Sequence, residues 1–316
     1  MDLILLEINC QSMIAKYFKV SQSAEKIKLL KSFEFTSRDF HQLIVDIPRA
    51  VEIFQKALFQ IGFEAGFLPC CPKTRKIIIL GTAKFIQGEG FVYRHQFRSR
   101  INFLNETKKA KKEIRKLLAK SEKELFGILV DWIKINGYQV KKIDKLSRGE
   151  IEINFYLTYA SKIYYKIIKD IIKELKWEEE KIETLFIPNS YILSKSVFQD
   201  KKNGLIIALN NQYFEISLLI NGIFQPIFSG QIAHITDLPN QVIGFLNKVE
   251  EDRKEILPAL PGVLIHQGCY SEVELRSKVI NLLQQESNYF SDFSLQPIES
   301  IQQKLNQKII SQLIYV

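Results

Sequence analysis

Two stretches of the chain share one pattern of apolar and polar positions: a buried strand, a polar turn and a second extended segment. Residues 3–9 predict a buried strand that runs into a polar turn at 9–12, and residues 13–20 supply the return strand of a hairpin. The pattern recurs after Gly204, where an apolar strand and a polar turn precede an alternating strand at 213–220. Two copies of this unit predict a duplicated α/β domain in which the copies face each other.

Apolar spacing and turn residues predict further elements of the first copy. Pro48 stands in the first turn of a helix that Gly62 closes. The apolar run 77–80 predicts a buried strand. A long helix with a broad apolar face is expected over residues 161–176, and a strand is expected at 185–187, where a proline stops it. These elements complete a mixed α/β first domain.

The pattern changes between these elements and predicts an inserted α+β unit. Residues 91–93 are strand-like and lead into a strongly basic helix. Two more extended segments, 130–135 and 151–157, are joined across the turn sequence Asn136-Gly137. A strand, a helix and two strands form a compact unit that interrupts the first domain.

Composition adds limits on size, class and location. A chain of 316 residues is long for one domain, and 46% hydrophobic with 25% charged residues is ordinary for a globular protein. No apolar run reaches the roughly 18 residues that a membrane-spanning helix needs. Asp2 stands where a secretory signal has basic residues, so we expect a cytoplasmic protein. The four cysteines lack metal-site spacing and are expected to be free thiols: Cys10, Cys70, Cys71 and Cys269.

The net charge of +9 is concentrated in one segment of the chain. Residues 94–123 contain eleven Lys or Arg residues against three Glu. Either this is a solvated helix face above an apolar stripe, or it binds an acidic partner such as a membrane surface or nucleic acid. No aromatic side chains are interleaved for base stacking, which disfavours nucleic acid. The candidate basic surface consists of Lys108, Lys109, Lys111, Lys112, Arg115 and Lys116.

The order of these segments resembles the FtsA branch of the actin-like ATPases, including the PilM-type pilus proteins. Residues 5–12 correspond to the family's first phosphate motif, and residues 134–140 with 149–155 resemble the "(D/N)GY.V … G" passage of its inserted subdomain. Residues 207–219 match the second phosphate motif, and residues 262–268 take the place of the Gly-rich adenosine segment. The resemblance covers nearly the whole chain in order.

The resemblance also shows how far the phosphate loops depart from the family. Glycines in these loops let backbone N–H groups approach phosphate oxygens, and a carboxylate on each strand holds magnesium. In the first loop Glu7 replaces Asp and Asn9 replaces Gly, while Ser12 keeps a hydroxyl. Because Asn tolerates a left-handed backbone better than most residues, this loop keeps features that can admit an anion.

The second and third loops depart further. Ala208 replaces the metal-associated Asp, and Tyr213 with Phe214 replaces two small hydroxyl residues, so we expect these rings to fill phosphate space. His266 replaces a glycine of the third segment, and Ile187 falls where relatives carry a polar residue near the attacking water. The resemblance implies a vestigial nucleotide cleft formed by Glu7, Asn9, Ser12, Asn210, Asn211, Gln212 and Gly268.

The expected fold is a two-lobed actin-like (RNase H-like, duplicated) α/β fold with an inserted small α+β subdomain and a reduced or absent upper subdomain in the second lobe. Only about thirty residues separate Gly230 from Gly262, where relatives place an extra subdomain. The predicted limits are 1–85 and 160–202 for the first lobe, 86–159 for the insertion and 203–316 for the second lobe.

The last segment, residues 301–316, has apolar residues along one helical face. Relatives of the FtsA type end in an amphipathic membrane anchor, which this segment resembles in periodicity. It has only two lysines and no Trp or Phe, and no Gly/Ser linker precedes it. A final core helix of the second lobe and a membrane anchor both remain open, and we favour the core helix.

These features predict a non-hydrolysing actin-fold scaffold or adaptor of bacterial cell division or type IV pilus assembly. Three altered loops argue against hydrolysis, which needs positioned metal and backbone donors. We expect no cofactor beyond weak ATP with Mg²⁺, and protein partners in a division or pilus machinery, with self-association and inner-membrane contact as further options. The alternatives are a weak ATPase that uses Glu7 alone for magnesium and a basic nucleic-acid-binding protein.

Overall fold

The described residues divide into two compact units, one up to Asn189 and one from Ser190. The computed structural model describes residues 2–8, 12–20, 27–36, 46–61, 75–98, 102–119, 123–140, 148–176, 183–198, 201–210, 212–267, 270–286 and 288–297. The four cysteines and the segment 301–316, on which predictions were made, lie outside these residues.

A five-stranded sheet forms the centre of the first unit. Its strand order is β3-β2-β1-β4-β9, antiparallel from β3 to β1 and parallel from β1 to β9. The β1–β2 hairpin is the one that the sequence predicts. The strands are β1 (Asp2–Ile8), β2 (Ser12–Val20), β3 (Ile27–Thr36), β4 (Arg75–Gly81) and β9 (Glu183–Pro188).

Two helices cover one face of this sheet and form its core. Helix α1 (Ile47–Gln60) begins with the predicted proline in its first turn, and Asp46 caps it by accepting a hydrogen bond from the N–H of Arg49. Helix α3 (Lys162–Glu174) is capped by Ser161. The isoleucines of α3 pack with alternate residues of β1 in one apolar cluster. Each fully buried Ile or Leu contributes about 1.5–3 kcal/mol.

A second, four-stranded sheet is inserted between β4 and α3. Its strand order is β5-β8-β6-β7, and helix α2 covers one of its faces over a core that includes Ile114, Ile153 and Phe155. All of its strand pairs are antiparallel. The elements are β5 (Gln87–Phe97), α2 (Phe103–Leu118), β6 (Lys123–Ile135), β7 (Tyr138–Gln139) and β8 (Gly149–Ser161).

The turn Asn136-Gly137 lies between the two long strands, as predicted, and it leads from β6 into the short strand β7 before β8 begins. Both residues have positive φ, at 50° and 84°. The Asn136 side chain also holds the start of β8, because its Oδ1 accepts a hydrogen bond from the Glu150 N–H at 2.8 Å. Gly149 has φ 143°, and a Cβ there would lie 2.3 Å from this Oδ1. Asn136 and Gly149 of the "NGY.V … G" passage therefore have a structural role, because they fix the start of β8.

Asn136→Ala is expected to lower the free energy of unfolding by about 1–2 kcal/mol, because alanine disfavours positive φ and leaves the Glu150 N–H without its acceptor. Asn136→Asp keeps both the acceptor and the tolerance of positive φ, and it should retain most of the stability. Urea denaturation of the two variants compares them. An equal loss in both would show that the side-chain oxygen is not what holds β8.

The second unit contains a six-stranded sheet with the order β12-β11-β10-β14-β15, and β13 pairs with β11 beside β12. Its apolar core lies on one face beneath α5 and the helical segment after β14. The strands are β10 (Gly204–Asn210), β11 (Tyr213–Ile220), β12 (Ile223–Phe224), β13 (Phe228–Gln231), β14 (Leu260–Gln267) and β15 (Phe290–Pro297). The helices are α4 (Asn189–Phe198), α5 (Leu238–Arg253), α6 (Glu272–Leu275) and α7 (Asn281–Glu286), with a π turn (Arg276–Ile280) joining the last two.

The two large sheets repeat one topology. In each, an antiparallel hairpin edge is followed by two parallel strands, and one helical connection precedes each parallel strand. β10 and β11 correspond to β1 and β2, and β14 corresponds to β4. Between Gln231 and Leu260 the second unit has a 3₁₀ turn and α5, with no inserted sheet in this fully described stretch. The predicted duplication with an insertion in the first copy is confirmed.

Candidate functional site

The hairpin of the first unit has one carboxylate at the entrance of its turn. Glu7 lies on the sheet face opposite the helices, because Leu6 and Ile8 enter the core and side chains alternate along a strand. Glu7 Oε2 is 4.0 Å from Lys16 Nζ, and the two side chains are only 13% and 12% exposed. Lys16 shares this face because the hairpin register places Ile14 opposite Glu7. The ammonium group of Lys16 is therefore a counter-charge for the Glu7 carboxylate within the same hairpin.

Apolar residues stand next to Glu7 in the neighbouring parallel strands. Leu80 is in register with Glu7, and Ile187 is in register with Leu80, so the three form one row. Leu80 is 7% exposed and Ile187 is fully buried. Ile187 is the residue for which the resemblance expects a polar side chain near the attacking water. This row of described residues supplies one carboxylate and no second oxygen ligand.

Hydroxyl groups mark the turn region of the same sheet. Ser12, a predicted site residue, is buried at the start of β2. Thr82 follows β4, and its N–H donates to the carbonyl of Ile8 at 3.2 Å. Its buried Oγ1 forms no hydrogen bond with any described residue. Asn9, predicted between these groups, lies outside the described residues.

The second hairpin has its carboxylate on the other strand. Ala208 of β10 corresponds to Glu7 of β1, and Glu215 of β11 stands directly opposite Ala208. Glu215 is only 4% exposed. In the alternating strand 213–220 the polar residues Tyr213, Glu215 and Ser217 fall on one face, a signal from which this buried acid could have been found. Sequence reasoning recorded the loss at Ala208 and missed the acid beside it.

Only one of the two rings at this hairpin lies on the face of Glu215. Phe214 is 1% exposed and packs into the apolar core, where its ring centroid is 5.8 Å from that of Phe228. The prediction that Phe214 fills phosphate space was therefore wrong. Strand alternation explains the difference, because consecutive residues point to opposite faces. Tyr213 lies opposite Asn210 at the end of the hairpin.

The remaining predicted cleft residues occupy the ends of β10 and β14. Asn210 is half-buried, and Gln212 is exposed while its carbonyl accepts a hydrogen bond from the Ile232 N–H at 2.8 Å. His266 lies beside Leu209 in the parallel pair. Asn211 and Gly268 lie outside the described residues. Within the described part of the chain, no group of three or more His, Cys, Asp or Glu side chains could hold a metal ion.

The six predicted basic residues are all on α2, but they are not equivalent. Lys109 Nζ lies 2.6 Å from Glu106, whose carboxylate is buried and also accepts a hydrogen bond from the Tyr93 hydroxyl at 3.4 Å. Burial lowers the pKa of Lys111, and the nearby Arg115 charge lowers it further. The other four, Lys108, Lys112, Arg115 and Lys116, are exposed and form no ion pair with any described residue.

The face of the inserted sheet opposite α2 carries a charged cluster that the sequence reasoning missed. Glu152 accepts hydrogen bonds from Arg94 at 2.7 Å and from Lys134 at 3.2 Å. Burial acts to raise the pKa of Glu152, but these two hydrogen bonds outweigh it and leave the pKa below its ordinary value. Lys134 Nζ also lies 4.2 Å from the ring centre of Trp132. Register across three strands produces this cluster, and it is visible only once the strand pairing is known.

The repeated sheets and the sheet inserted in the first copy define an actin-like α/β fold. A chain of the "PilM-PilN type IV pilus biogenesis complex" matches with a TM-score of 0.50 at 8% identity, covering 96% of this chain and 93% of that one. This likeness shows the fold alone. No protein-family model and no curated protein matches the sequence.

Two further solved structures match more loosely. The ethanolamine utilization protein EutJ from Carboxydothermus hydrogenoformans has a TM-score of 0.45 at 7% identity, with 98% of this chain and 89% of that chain covered. A protein of unknown function with an actin-like ATPase fold from Bacteroides thetaiotaomicron has a TM-score of 0.40 at 10% identity, with 93% and 90% covered. Among the described helices, none is both long and apolar enough to cross a membrane.

Proposed function

We propose that this chain is an actin-fold scaffold that does not hydrolyse ATP and serves as an adaptor for a bacterial assembly of the type IV pilus or cell-division kind. The observation that carries the proposal is the absence of a carboxylate pair at the corresponding positions of the two hairpins, Glu7 and Ala208. Hydrolysis by actin-like enzymes depends on a held metal ion and on backbone donors around the phosphates. A solved structure of the same fold that belongs to a type IV pilus biogenesis complex supports the pilus version of this role.

The surroundings of Glu7 support the loss of magnesium handling. A metal ion at this carboxylate would compete with the Lys16 ammonium 4.0 Å away, and the adjacent Leu80 and Ile187 provide no oxygen. Mg²⁺ demands near-octahedral oxygen coordination and keeps several waters. One carboxylate that is already paired with a lysine, beside a row of apolar side chains, does not provide the oxygen ligands that hydrated Mg²⁺ needs.

Mg-ATP calorimetry together with a phosphate-release assay tests the proposal. We expect no binding heat in the micromolar range and no phosphate release above the protein-free rate, both for the native chain and for Glu7→Ala. Glu52→Ala, at an exposed position of α1, is the matched control for removal of a carboxylate. Micromolar binding with turnover that Glu7→Ala abolishes, and Glu52→Ala does not, would establish the weak ATPase instead.

The role of the inserted sheet in recruiting a protein partner is the second half of the proposal. The face with Trp132 and the Arg94–Glu152–Lys134 cluster presents a tryptophan and an arginine, two residue types that are enriched in protein interfaces. Genes encoded beside this one would decide between pilus and division assemblies, because partners of such machines are commonly expressed together.

A further inference from the structure

The exposed side of α2 carries a row of cations without counter-charges. Lys108, Lys112, Arg115 and Lys116 recur at helical spacing, so they lie on one side of the helix over about 12 Å. None of them forms an ion pair with a described residue. We name these four residues the cationic strip.

The acids of α2 do not neutralise this strip. Glu106 is 2% exposed and is paired with Lys109 on the side that faces the sheet. Glu113 is the one other acid of the helix; it lies three residues before Lys116 but forms no ion pair with a described residue. The opposite side of α2 is fixed against the inserted sheet by Ala110 and Ile114, which are buried. The strip therefore faces outward on a rigid support.

An apolar residue extends the strip at its N-terminal end. Leu104 is one turn before Lys108 and two turns before Lys112 on the same side, and it is 66% exposed. An exposed leucine side chain gains no free energy from contact with water or with the phosphate backbone of a nucleic acid. It gains free energy at a boundary between anionic headgroups and acyl chains.

We propose that the cationic strip with Leu104 docks the inserted subdomain on an anionic phospholipid surface. Lysine-rich polar sides are typical of helices that lie in a membrane interface, whereas lysine is depleted in protein interfaces. The strip has no aromatic ring on which a base could stack, which disfavours single-stranded nucleic acid. A flat array of anionic headgroups can neutralise all four charges at once.

Vesicle flotation of the full chain tests this docking. We expect flotation with mixed phosphatidylglycerol–phosphatidylcholine vesicles at low salt, little with phosphatidylcholine alone, and release at high salt. Lys112→Gln with Lys116→Gln should lower partitioning about 25-fold, since each cation near such a surface contributes about fivefold. Leu104→Ser should lower it severalfold at unchanged charge. Circular dichroism of each variant confirms that the fold is kept.

The control removes the same charge from the other unit. Lys201→Gln with Lys202→Gln changes two exposed lysines and should leave flotation unchanged. The proposal is overturned if the α2 variants float as well as the native chain. It is also overturned if flotation with phosphatidylglycerol-containing vesicles is no greater than with phosphatidylcholine alone. A second result would also overturn it: no binding to vesicles, together with binding to duplex DNA or to a poly-glutamate peptide in fluorescence anisotropy. In that case Lys112→Gln with Lys116→Gln would abolish the binding to DNA or peptide. None of these readouts depends on ATP, so failure here leaves the scaffold proposal standing.

Discussion

Gly88→Ala is expected to lower the free energy of unfolding by about 2–3 kcal/mol, although it adds one methyl group. A Cβ at Gly88 would lie 2.3 Å from the hydroxyl oxygen of Tyr156 and 2.5 Å from Cζ of its ring. Tyr156 is fully buried in the neighbouring strand β8, so the ring cannot move without displacing packed neighbours. Either β5 shifts away from β8 or the ring leaves its preferred rotamer, and each response carries a cost.

The loss of stability in Gly88→Ala arises on the face of the inserted sheet that meets β9. Gly127 and Phe126 of β6 belong to the same region: a Cβ at Gly127 would be 4.0 Å from Leu185, and the Phe126 ring stacks on Phe186 at 4.3 Å. Small residues in β5 and β6 thus let the inserted sheet approach the large sheet of the first unit. Gly88→Ala disturbs this approach as well as the β5–β8 pair.

A double-mutant cycle and a second glycine make the result specific. Tyr156→Phe should not rescue Gly88→Ala, because the ring carbons remain within 2.5–2.7 Å, whereas Tyr156→Ala should reduce the additional loss. Gly244→Ala makes the same chemical change in α5, where nothing lies within 4 Å, and it should raise stability by about 1 kcal/mol. If urea midpoints show equal effects at Gly88 and Gly244, the contact with Tyr156 is not what excludes a side chain.

Periodicity predicts the buried elements of this fold well and its exposed edges poorly. Strands β1, β4 and β10 are buried on both faces and therefore appear as unbroken apolar runs. The edge strand β3 was not predicted, because its residues from Lys28 to Lys31 are exposed and show no clean alternation. β15 was missed for a similar reason, since polar residues occupy its outer face.

The candidate site was only partly predictable, because its contacts depend on register. The sequence indicates Glu7 and the loss of Asp at Ala208, but it does not show which residues lie opposite them. The hairpin register brings Lys16 beside Glu7 and places Glu215 across from Ala208. Register in a hairpin follows from the turn and from which face is buried, and a shift of one residue would reverse both relations. Phe214 shows the same dependence, since its assignment to the core required the alternation of β11.

Ala208→Asp, which reinstates the acid expected from the resemblance, should lower stability by about 2–4 kcal/mol and should not create an ATPase. Glu215 is directly opposite on the same face and is 4% exposed, so the new carboxylate would enter beside an existing buried acid. Residues directly opposite in an antiparallel pair have Cβ atoms about 5 Å apart. Two carboxylates at this spacing resist joint ionisation, which raises the pKa of one of them.

The pH dependence follows from this raised pKa. The folded variant would hold a proton that the unfolded chain releases near about pH 4, so its stability falls as pH rises from there towards about pH 7. Urea denaturation across this range should therefore show a deficit relative to the native chain that grows with pH. Ala208→Asn, which has the same shape without the charge, should show a deficit that does not.

Glu215→Gln provides the decisive background for this experiment. Ala208→Asp should cost less stability in Glu215→Gln than in the native chain, because one of the two charges is absent. An identical cost in both backgrounds would mean that the residues at 208 and 215 do not interact. Phosphate release from Mg-ATP by Ala208→Asp would contradict the scaffold proposal, since it would show that one missing carboxylate was all that prevented hydrolysis. With Lys16 beside Glu7 and apolar residues in the adjacent strands, we expect none.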